Sequence, residues 1–406
     1  MPVEVLRCRV CQSEFPAVAN GICARCFGPL EPVYDWDAIR KVVTRERIAA
    51  GPWSLWRYAD LLPAAPPPDA ATGPGLTPLV SAPRLASRLG IGEVHLKLDL
   101  GNPTHSFKDR VVAVAAAKAA EFGFDTLSAT STGNLANAVA ARAAATGMRA
   151  IIFCPVGLEP EKVAATTIYG ATIYGVRGSY DDCSRLVSEL AGEVEWGIVN
   201  VNLRSYYSEG SKTLAFEICE QLGWQLPDAV VMPIGSGAMY TKVSKGFEQF
   251  LDLGLVEGAR PRQYGGQAEG CAPVATAFAE GARVMPVRPN SIVSSIAIGN
   301  PADGDLTVSI ANASGGGIFS VPENEVGENI SLLAETAGVF GEGATGVAIG
   351  ALREAVRRGE IGESDRVVVL VTGTGLKTPQ LSDASGSVVE IDPDVDALLA
   401  ELGATA

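Results

Sequence analysis

Short aliphatic runs alternate with longer alanine-rich stretches along most of this chain. Glu93 to Asp99 alternates well enough for a strand, and the Ala/Val-rich segment after Lys108 has the pattern of a long helix. Thr126 to Thr130 predicts the next strand, with a helix over Ala138 to Thr146 behind it. Ala150 to Cys154, Ala171 to Val176 and Gly197 to Asn202 continue the strands, and a helix is expected to begin near Glu159. Leu214 to Leu222 reads as a helix, and Asp228 to Ile234 is an apolar run ending in Gly235. Arg366 to Val371 is almost unbroken aliphatic sequence, the mark of a central parallel strand covered on both faces. Alternation of this kind predicts α/β layers. Upstream, residues 36 to 62 read as helical, with Trp36, Ile39, Val42, Val43, Ile48, Trp53, Leu55, Trp56 and Tyr58 as packing residues. Pro66-Pro67-Pro68 and Gly73-Pro74-Gly75 mark a stiff and then flexible connection. Residues 392 to 406 predict a short amphipathic helix through Val395, Leu398, Leu399 and Leu402.

Composition narrows the class. The 406 residues are 47% hydrophobic and 19% charged, which describes a compact chain of two or three domains with a large core. A net charge of -14 argues against a nucleic-acid or anionic-membrane surface, so a bound anion must be held by backbone N–H groups and a few cations. No apolar run is long enough to cross a bilayer, and the first residues lack a basic-then-apolar signal pattern, so the expected location is cytoplasmic. Of eight cysteines, Cys8, Cys11, Cys23 and Cys26 form two C-x-x-C knuckles that can close tetrahedrally around Zn²⁺. A disulfide pair is the alternative, and a purely structural ribbon is the preferred reading, because four filled positions leave no open coordination site. Cys154, Cys183, Cys219 and Cys271 read as small buried side chains.

Four strand-to-helix junctions carry candidate chemistry. In Asn102-Pro103-Thr104-His105-Ser106-Phe107-Lys108-Asp109-Arg110, Ser106 and Asp109 have capping-box spacing, which puts Lys108 in the first turn of a helix. The helix N-terminus disfavours a further positive charge there, and desolvation would add to that effect. A solvated lysine paired with Asp109 or Asp99 explains the same residues. Ser131-Thr132-Gly133-Asn134 opens the next helix and presents unpaired N–H groups to a carboxylate or phosphate, or is an ordinary N-cap. Gly235-Ser236-Gly237-Ala238-Met239 suits backbone contact with a phosphate, or is a tight turn using Gly for steric reasons. Thr372 ends the central strand, where ligands of open α/β sheets bind. His95 and His105 belong to no visible triad or metal pattern.

Taken together, Lys108, Ser131 to Asn134, Gly235 to Met239 and Thr372 supply the parts a pyridoxal phosphate enzyme requires: an amine, two anion cradles and a partner for the pyridine nitrogen. From about residue 6 to residue 380 the chain resembles the threonine synthase family, fold-type II (tryptophan synthase β-like) enzymes, in the subgroup with an N-terminal Cys ribbon. The motifs are the paired C-x-x-C leading into F-G-P-L-E-P-V-Y-D, then G-P-W-S-L-W-R-Y, N-P-T-H-S-F-K-D-R, S-T-G-N-L-A-N, Y-Y-S-E-G-S-K-T and A-I-G-N-P-A-D-G. The resemblance implies two open, twisted, mostly parallel sheets with helices on both faces, plus a small zinc-ribbon-like segment. It divides the chain into a ribbon (1–35), a helical segment and linker (36–75), a large domain (76–110 and 206–385), a small domain (111–205) and a tail helix (386–406).

The same resemblance implies that Lys108 forms the Schiff base and shuttles protons, that Asn134 bonds the cofactor's 3-hydroxyl and that Thr372 bonds the pyridine nitrogen. Phe107 packs beside the ring, Gly235, Ser236, Gly237, Ala238 and Met239 hold its phosphate, and Ser131, Thr132 and Asn134 receive the substrate carboxylate. Lys212 is a candidate for the substrate phosphate, with a structural role left open. Arg110 stands in the same position, and Arg204 and Tyr207 are weaker candidates for that role. The implied reaction converts O-phospho-L-homoserine to L-threonine and phosphate in a homodimer, with a small amino-acid phosphate as the partner molecule. His105, the G-S-G-A-M loop and Phe340 to Gly346 depart from the usual family pattern. They keep a cysteate synthase using O-phosphoserine and sulfite, a serine/threonine dehydratase and a non-catalytic binding protein as alternatives.

Overall fold

The computed structural model describes residues 3–382, 388–391 and 393–404. Its strands in chain order are β1 (Val3–Cys8), β2 (Glu14–Pro16), β3 (Leu30–Tyr34), β4 (Leu79–Ser81), β5 (Glu93–Leu98), β6 (Thr126–Thr130) and β7 (Arg149–Pro155). They continue with β8 (Thr172–Val176), β9 (Gly197–Ile198), β10 (Ala229–Pro233), β11 (Arg262–Ala268), β12 (Gly317–Val321) and β13 (Arg366–Val371). Three sheets result, ordered β2-β1-β3, β12-β11-β10-β13-β5-β4 and β8-β7-β6-β9. The first is antiparallel, the last is parallel, and in the six-stranded sheet only β4 runs against its neighbour. The expected architecture of two mostly parallel sheets with a small cysteine-rich segment is therefore what forms.

Strand β13 explains why the large sheet is a core. Val367 to Val371 are all essentially inaccessible, pairing with β10 on one side and β5 on the other. Helices pack on both sides of that sheet. Tyr240, Val243 and Phe247 of one helix join the cluster containing Val230, Val368 and Leu370, while Ala348, Ile349 and Leu352 of another join Val231, Val367 and Val369. Alternate side chains of one strand thus enter different cores, as the period of two requires. The helix Lys108–Glu121 packs Val111, Val112 and Ala115 against Leu127 and Ala129 of β6, so it lies on the four-stranded sheet although it springs from the end of β5.

Several local expectations change. Residues 36 to 62 form helices Trp36–Val42 and Arg45–Ala49 and a 3₁₀ segment Leu55–Leu61 instead of one helical run. Thr44 caps the second piece through Arg47 N–H, and Gly51-Pro52 prevents its continuation. Trp53, expected in the core, is 73% exposed beneath the Arg57 guanidinium, and Val42 is also exposed. The strand expected over Gly197 to Asn202 is reduced to Gly197–Ile198. The tail helix spans Val395–Ala404, with Val395, Leu399 and Leu402 exposed; residues 392, 405 and 406 of the expected span lie outside the described residues. Among the described residues, no helix is long and apolar enough to cross a membrane.

Candidate active site

Three neighbouring parallel strands, β5, β13 and β10, point their carboxyl ends the same way. Lys108 follows the end of β5, Thr372 comes directly after β13, and the Gly235 loop follows β10. Asn134 begins the helix behind β6, on the other parallel sheet. Such an edge is where open α/β sheets bind ligands.

Lys108 is the first residue of its helix. Its Nζ lies 3.2 Å from Tyr207 Oη and 4.7 Å from the centre of the Phe107 ring. Phe107 N–H donates to Thr372 O at 2.9 Å, which ties the lysine's turn to the end of β13. The expected capping box does not form. Asp109 instead turns back to accept from Thr104 N–H (2.7 Å) and Thr104 Oγ1 (2.8 Å), and Ser106 Oγ is buried without a hydrogen-bond partner. Burial pushes the Asp109 carboxyl up to about 6, against the lowering effect of the Thr104 bonds. His105 sits at φ 60°, in the left-handed region, with its side chain exposed.

Asn134 and Thr372 meet on one carboxyl group that sequence reasoning did not assign. Asn134 Nδ2 donates to Glu342 Oε2 at 2.8 Å, and Thr372 Oγ1 donates to Glu342 Oε1 at 3.1 Å. Glu342 occupies the N-cap of the helix Gly343–Arg357 without capping it, so its side chain is free to enter the site. A Cβ on Gly373 would lie 2.5 Å from Glu342 Oε1, so a side chain there would displace that carboxyl. Burial raises the Glu342 carboxyl above its ordinary range, while Asn134, Lys377, Thr372 and the more distant Lys108 act the other way. Lys377 was also missed. Its Nζ donates to Asn134 Oδ1 (2.8 Å) and to Thr104 O (2.6 Å). Both residues left a sequence signal: Glu342 lies between glycines at a helix start, and Lys377 follows Thr372 in a Gly/Thr turn at a strand end.

The anion cradles are built from helix starts. Gly237 adopts φ 86°, and a Cβ there would meet Thr307 Oγ1 at 2.5 Å. Met239 and Ala238 then begin the helix Ala238–Asp252, whose first N–H groups have no intrahelical acceptor. The loop is braced from outside by Asp303, whose N–H donates to Ser236 O at 3.0 Å and whose carboxylate takes Arg204 and Arg9 at 2.7 Å each. Ser131 Oγ accepts from Gly133 N–H and Ala136 N–H at 3.2 Å each, which is local capping, and Thr132 stands half-buried beside it. A primary amine, a buried orphan hydroxyl and a glycine-shaped helix N-terminus fit a phosphate-bearing aldehyde cofactor.

Lys212, expected at the substrate phosphate, is not brought to this site. It is fully buried and donates to Leu61 O (2.8 Å) and Tyr34 Oη (3.1 Å), with Glu209 2.7 Å away. Burial pulls its ammonium down to about 7 although Glu209 acts the other way, and its contacts place it in the interior. Arg110 is structural as well. All of its N–H groups face Asp99, Glu217, Thr77 and Thr213. Arg204 is paired with Asp303, whereas Tyr207 does reach the site through Lys108.

The four thiols of Cys8, Cys11, Cys23 and Cys26 lie within 4.8 Å of one another, and two of the S···S distances are 3.4 and 3.6 Å. Zn–S bonds of about 2.3 Å would put tetrahedral thiolates about 3.8 Å apart. Backbone N–H groups of Val10, Cys11 and Arg25 point at Cys8 and Cys23 sulfurs, so the donor set suits a closed structural metal site.

Residues 70–373 match the family described as pyridoxal-phosphate dependent enzyme, and the chain belongs to that family, in its fold-type II branch. Within it, the chain is 34% identical to the threonine synthase of Methanocaldococcus jannaschii, over 97% of this chain and 98% of that one. It is likewise 34% identical to the threonine synthase of Methanosarcina acetivorans, over 97% of each. Among solved structures, Escherichia coli diaminopropionate ammonia lyase superposes with a TM-score of 0.65 at 20% identity, covering 76% of this chain and 87% of that one. Threonine deaminase isoform 2 of Solanum lycopersicum gives 0.63 at 20% identity, covering 77% and 88%. These two share the fold.

Proposed function

We propose that this chain is a threonine synthase, converting O-phospho-L-homoserine and water to L-threonine and inorganic phosphate. One observation carries the chemistry: Asn134 and Thr372, from different sheets, meet on Glu342, whose carboxyl feels the charge of Lys108. The substrate assignment is supported by threonine synthases aligned along nearly the whole chain.

The bound cofactor supplies the electron sink that makes carbanions next to the amino-bearing carbon accessible near neutral pH. Lys108 would hold it through its Nζ and move protons at Cα, Cβ and Cγ of the substrate. Tyr207 keeps that amine at the face of the site through its hydroxyl. Asn134 offers an N–H to the ring's 3-oxygen, Thr372 its hydroxyl to the ring nitrogen, and Phe107 its face to the ring. The amides of Gly235 to Met239 hold the cofactor phosphate, and those of Ser131, Thr132 and Asn134 the substrate carboxylate. Loss of phosphate from Cγ, delivery of a proton to Cγ and addition of water at Cβ complete the balance. The Cys8, Cys11, Cys23 and Cys26 thiolates hold one structural Zn²⁺, and a homodimer is the expected assembly.

The test is an assay of phosphate and threonine from O-phospho-L-homoserine. Threonine in equal amount with phosphate is expected; release of phosphate only from O-phosphoserine, with sulfite consumed, assigns the site to a cysteate synthase instead.

A further inference from the structure

We propose that Lys377 is a positioning residue of this site: with Glu342 it fixes the Asn134 carboxamide, oxygen toward the ammonium and nitrogen free to donate into the cleft, and so latches the four-stranded unit onto the six-stranded one. A lysine ammonium has three donors and no acceptor, so the Asn134 atom facing it at 2.8 Å must be the oxygen. Glu342 Oε2 accepts from the nitrogen on the other side at 2.8 Å, which engages one of its two N–H groups. The second N–H remains for a ligand. Flipping the amide would set N–H against ammonium and oxygen against a carboxyl oxygen, so the two neighbours together exclude the wrong orientation.

The same ammonium reaches the loop that carries Lys108. Lys377 Nζ takes Thr104 O at 2.6 Å, while Asp109 holds Thr104 N–H and Oγ1 from the opposite side. Thr104 is therefore clamped between the turn after β13 and the first turn of the catalytic lysine's helix. Asn134 lies on the helix behind β6, whereas Lys377 and Glu342 follow or flank the six-stranded sheet. One side chain thus sets the orientation of Asn134, the position of the loop before Lys108 and the approach of the two sheets. Burial pulls the Lys377 ammonium toward neutrality, and Glu342 and Asp109 act against it. Glu342 in turn faces Lys377 and Lys108 as its charged neighbours.

The proposal rests on reading Lys108 as the cofactor's lysine. Purified holoenzyme is compared as wild type, Lys377→Met, Lys377→Arg, Asn134→Ala and the Lys377→Met/Asn134→Ala double variant. Visible absorbance across pH, cofactor retained after gel filtration, kcat and KM are measured. Lys377→Met is expected to keep the visible band, since Lys108 is intact, but to shift its pH profile, shed cofactor faster and lower kcat by about 10²-fold with KM little changed. Lys377→Arg should recover much of kcat. The double variant should lose less than the product of the two single losses, because part of the Lys377 effect runs through Asn134 and the rest through Thr104. Unchanged band profile, retention and kcat in Lys377→Met, or losses that simply multiply in the double variant, overturn the proposal. A wild type without a visible band overturns the cofactor reading and this proposal with it. Should Lys377→Met not fold, Lys377→Arg against Lys377→Gln decides: equal kcat values overturn the role of the ammonium.

Discussion

The protein contains two kinds of buried charge cluster, and they differ in how completely their groups are paired. Beneath the Lys108 helix, Arg110 meets Asp99 at 2.7 and 2.8 Å and Glu217 Oε2 at 2.7 Å, and Lys97 reaches the same Glu217 at 2.6 Å. Thr77, Thr213, Gln221 and the Leu76 N–H fill the remaining bonds, and none of the four ions is more than 1% exposed. There the partners pull the Glu217 carboxyl down to about 2 although burial opposes them. At the cleft the order is reversed: burial outweighs the partners, and Glu342 and Asp109 are both raised. A cluster that lowers its carboxyls has matched those carboxylates internally. One that raises them has left a desolvated group facing somewhere else, and that is the signature of a functional site. By this criterion Glu217 and Glu209 belong to the framework, with Arg110 and Lys212 as their partners, and Glu342 and Asp109 mark the cleft that Lys108 and Lys377 also line.

The sharpest way to break this division is substitution. Lys108→Ala should lower turnover by about 10⁴-fold or more while the protein keeps its melting temperature within a few degrees; substantial activity in that variant sinks the assignment. Arg110→Met should do the reverse, costing about 3–5 kcal/mol by leaving Asp99 and Glu217 buried with an incomplete set of partners, as read from urea unfolding. A smaller loss of stability is expected for Lys212→Met, because Lys242 and Lys245 still flank Glu209, and KM for the phosphorylated substrate should not change. A rise in KM with intact stability would return Lys212 to the substrate.

Protons give the next contrast. Glu217 has its carboxyl lowered from 4.5 to about 2, so its stabilisation is present above pH 4.5 and is lost as pH falls toward 2. Asp109 is raised from 3.8 to about 6, so the folded state binds the proton more tightly. Its contribution is present below pH 3.8 and is lost as pH rises through 6. The stability of wild type relative to Asp109→Asn should therefore fall between those limits, by at most about 1.4 kcal/mol for each pH unit, and stay level above them. A relative stability that rises over the same window contradicts the sign. Smallest for activity is the ribbon, where elemental analysis should find one zinc per chain. Loss of the metal to a chelator should release four titratable thiols with the chemistry at Lys108 intact.

Much of this division was readable from the chain. The strands at Glu93, Thr126 and Arg366 are apolar or alternating runs whose pattern follows from burial, so the strands around Lys108 could be anticipated, though not their order in the sheet. Strand β11 could not, because Arg-Gln-Tyr-Gly-Gly-Gln-Ala looks like a loop. Its glutamines are fully buried: Gln267 accepts from the Val274 and Ala275 N–H groups, and Gln263 donates to Tyr240 O. Side-chain hydrogen bonding, invisible in a hydropathy pattern, replaces apolar packing there. Lys108, Asn134 and Thr372 announced themselves as strand-end residues. Lys212 stood at a predicted helix start instead, and only tertiary burial tells it from a site residue. Glu342 and Lys377 lie more than 200 positions from Asn134, and local spacing carries no record of their meeting.

The central claim is that Lys108, among several buried or half-buried lysines, is the one whose amine carries the chemistry. Reduction of the purified holoenzyme with borohydride, followed by peptide mapping by mass spectrometry, tests it directly. The account predicts the reduced cofactor on the peptide containing Lys108 and on no other lysine. Label on Lys377 or Lys212 in its place, or none on any lysine of a protein that still forms threonine, would contradict it.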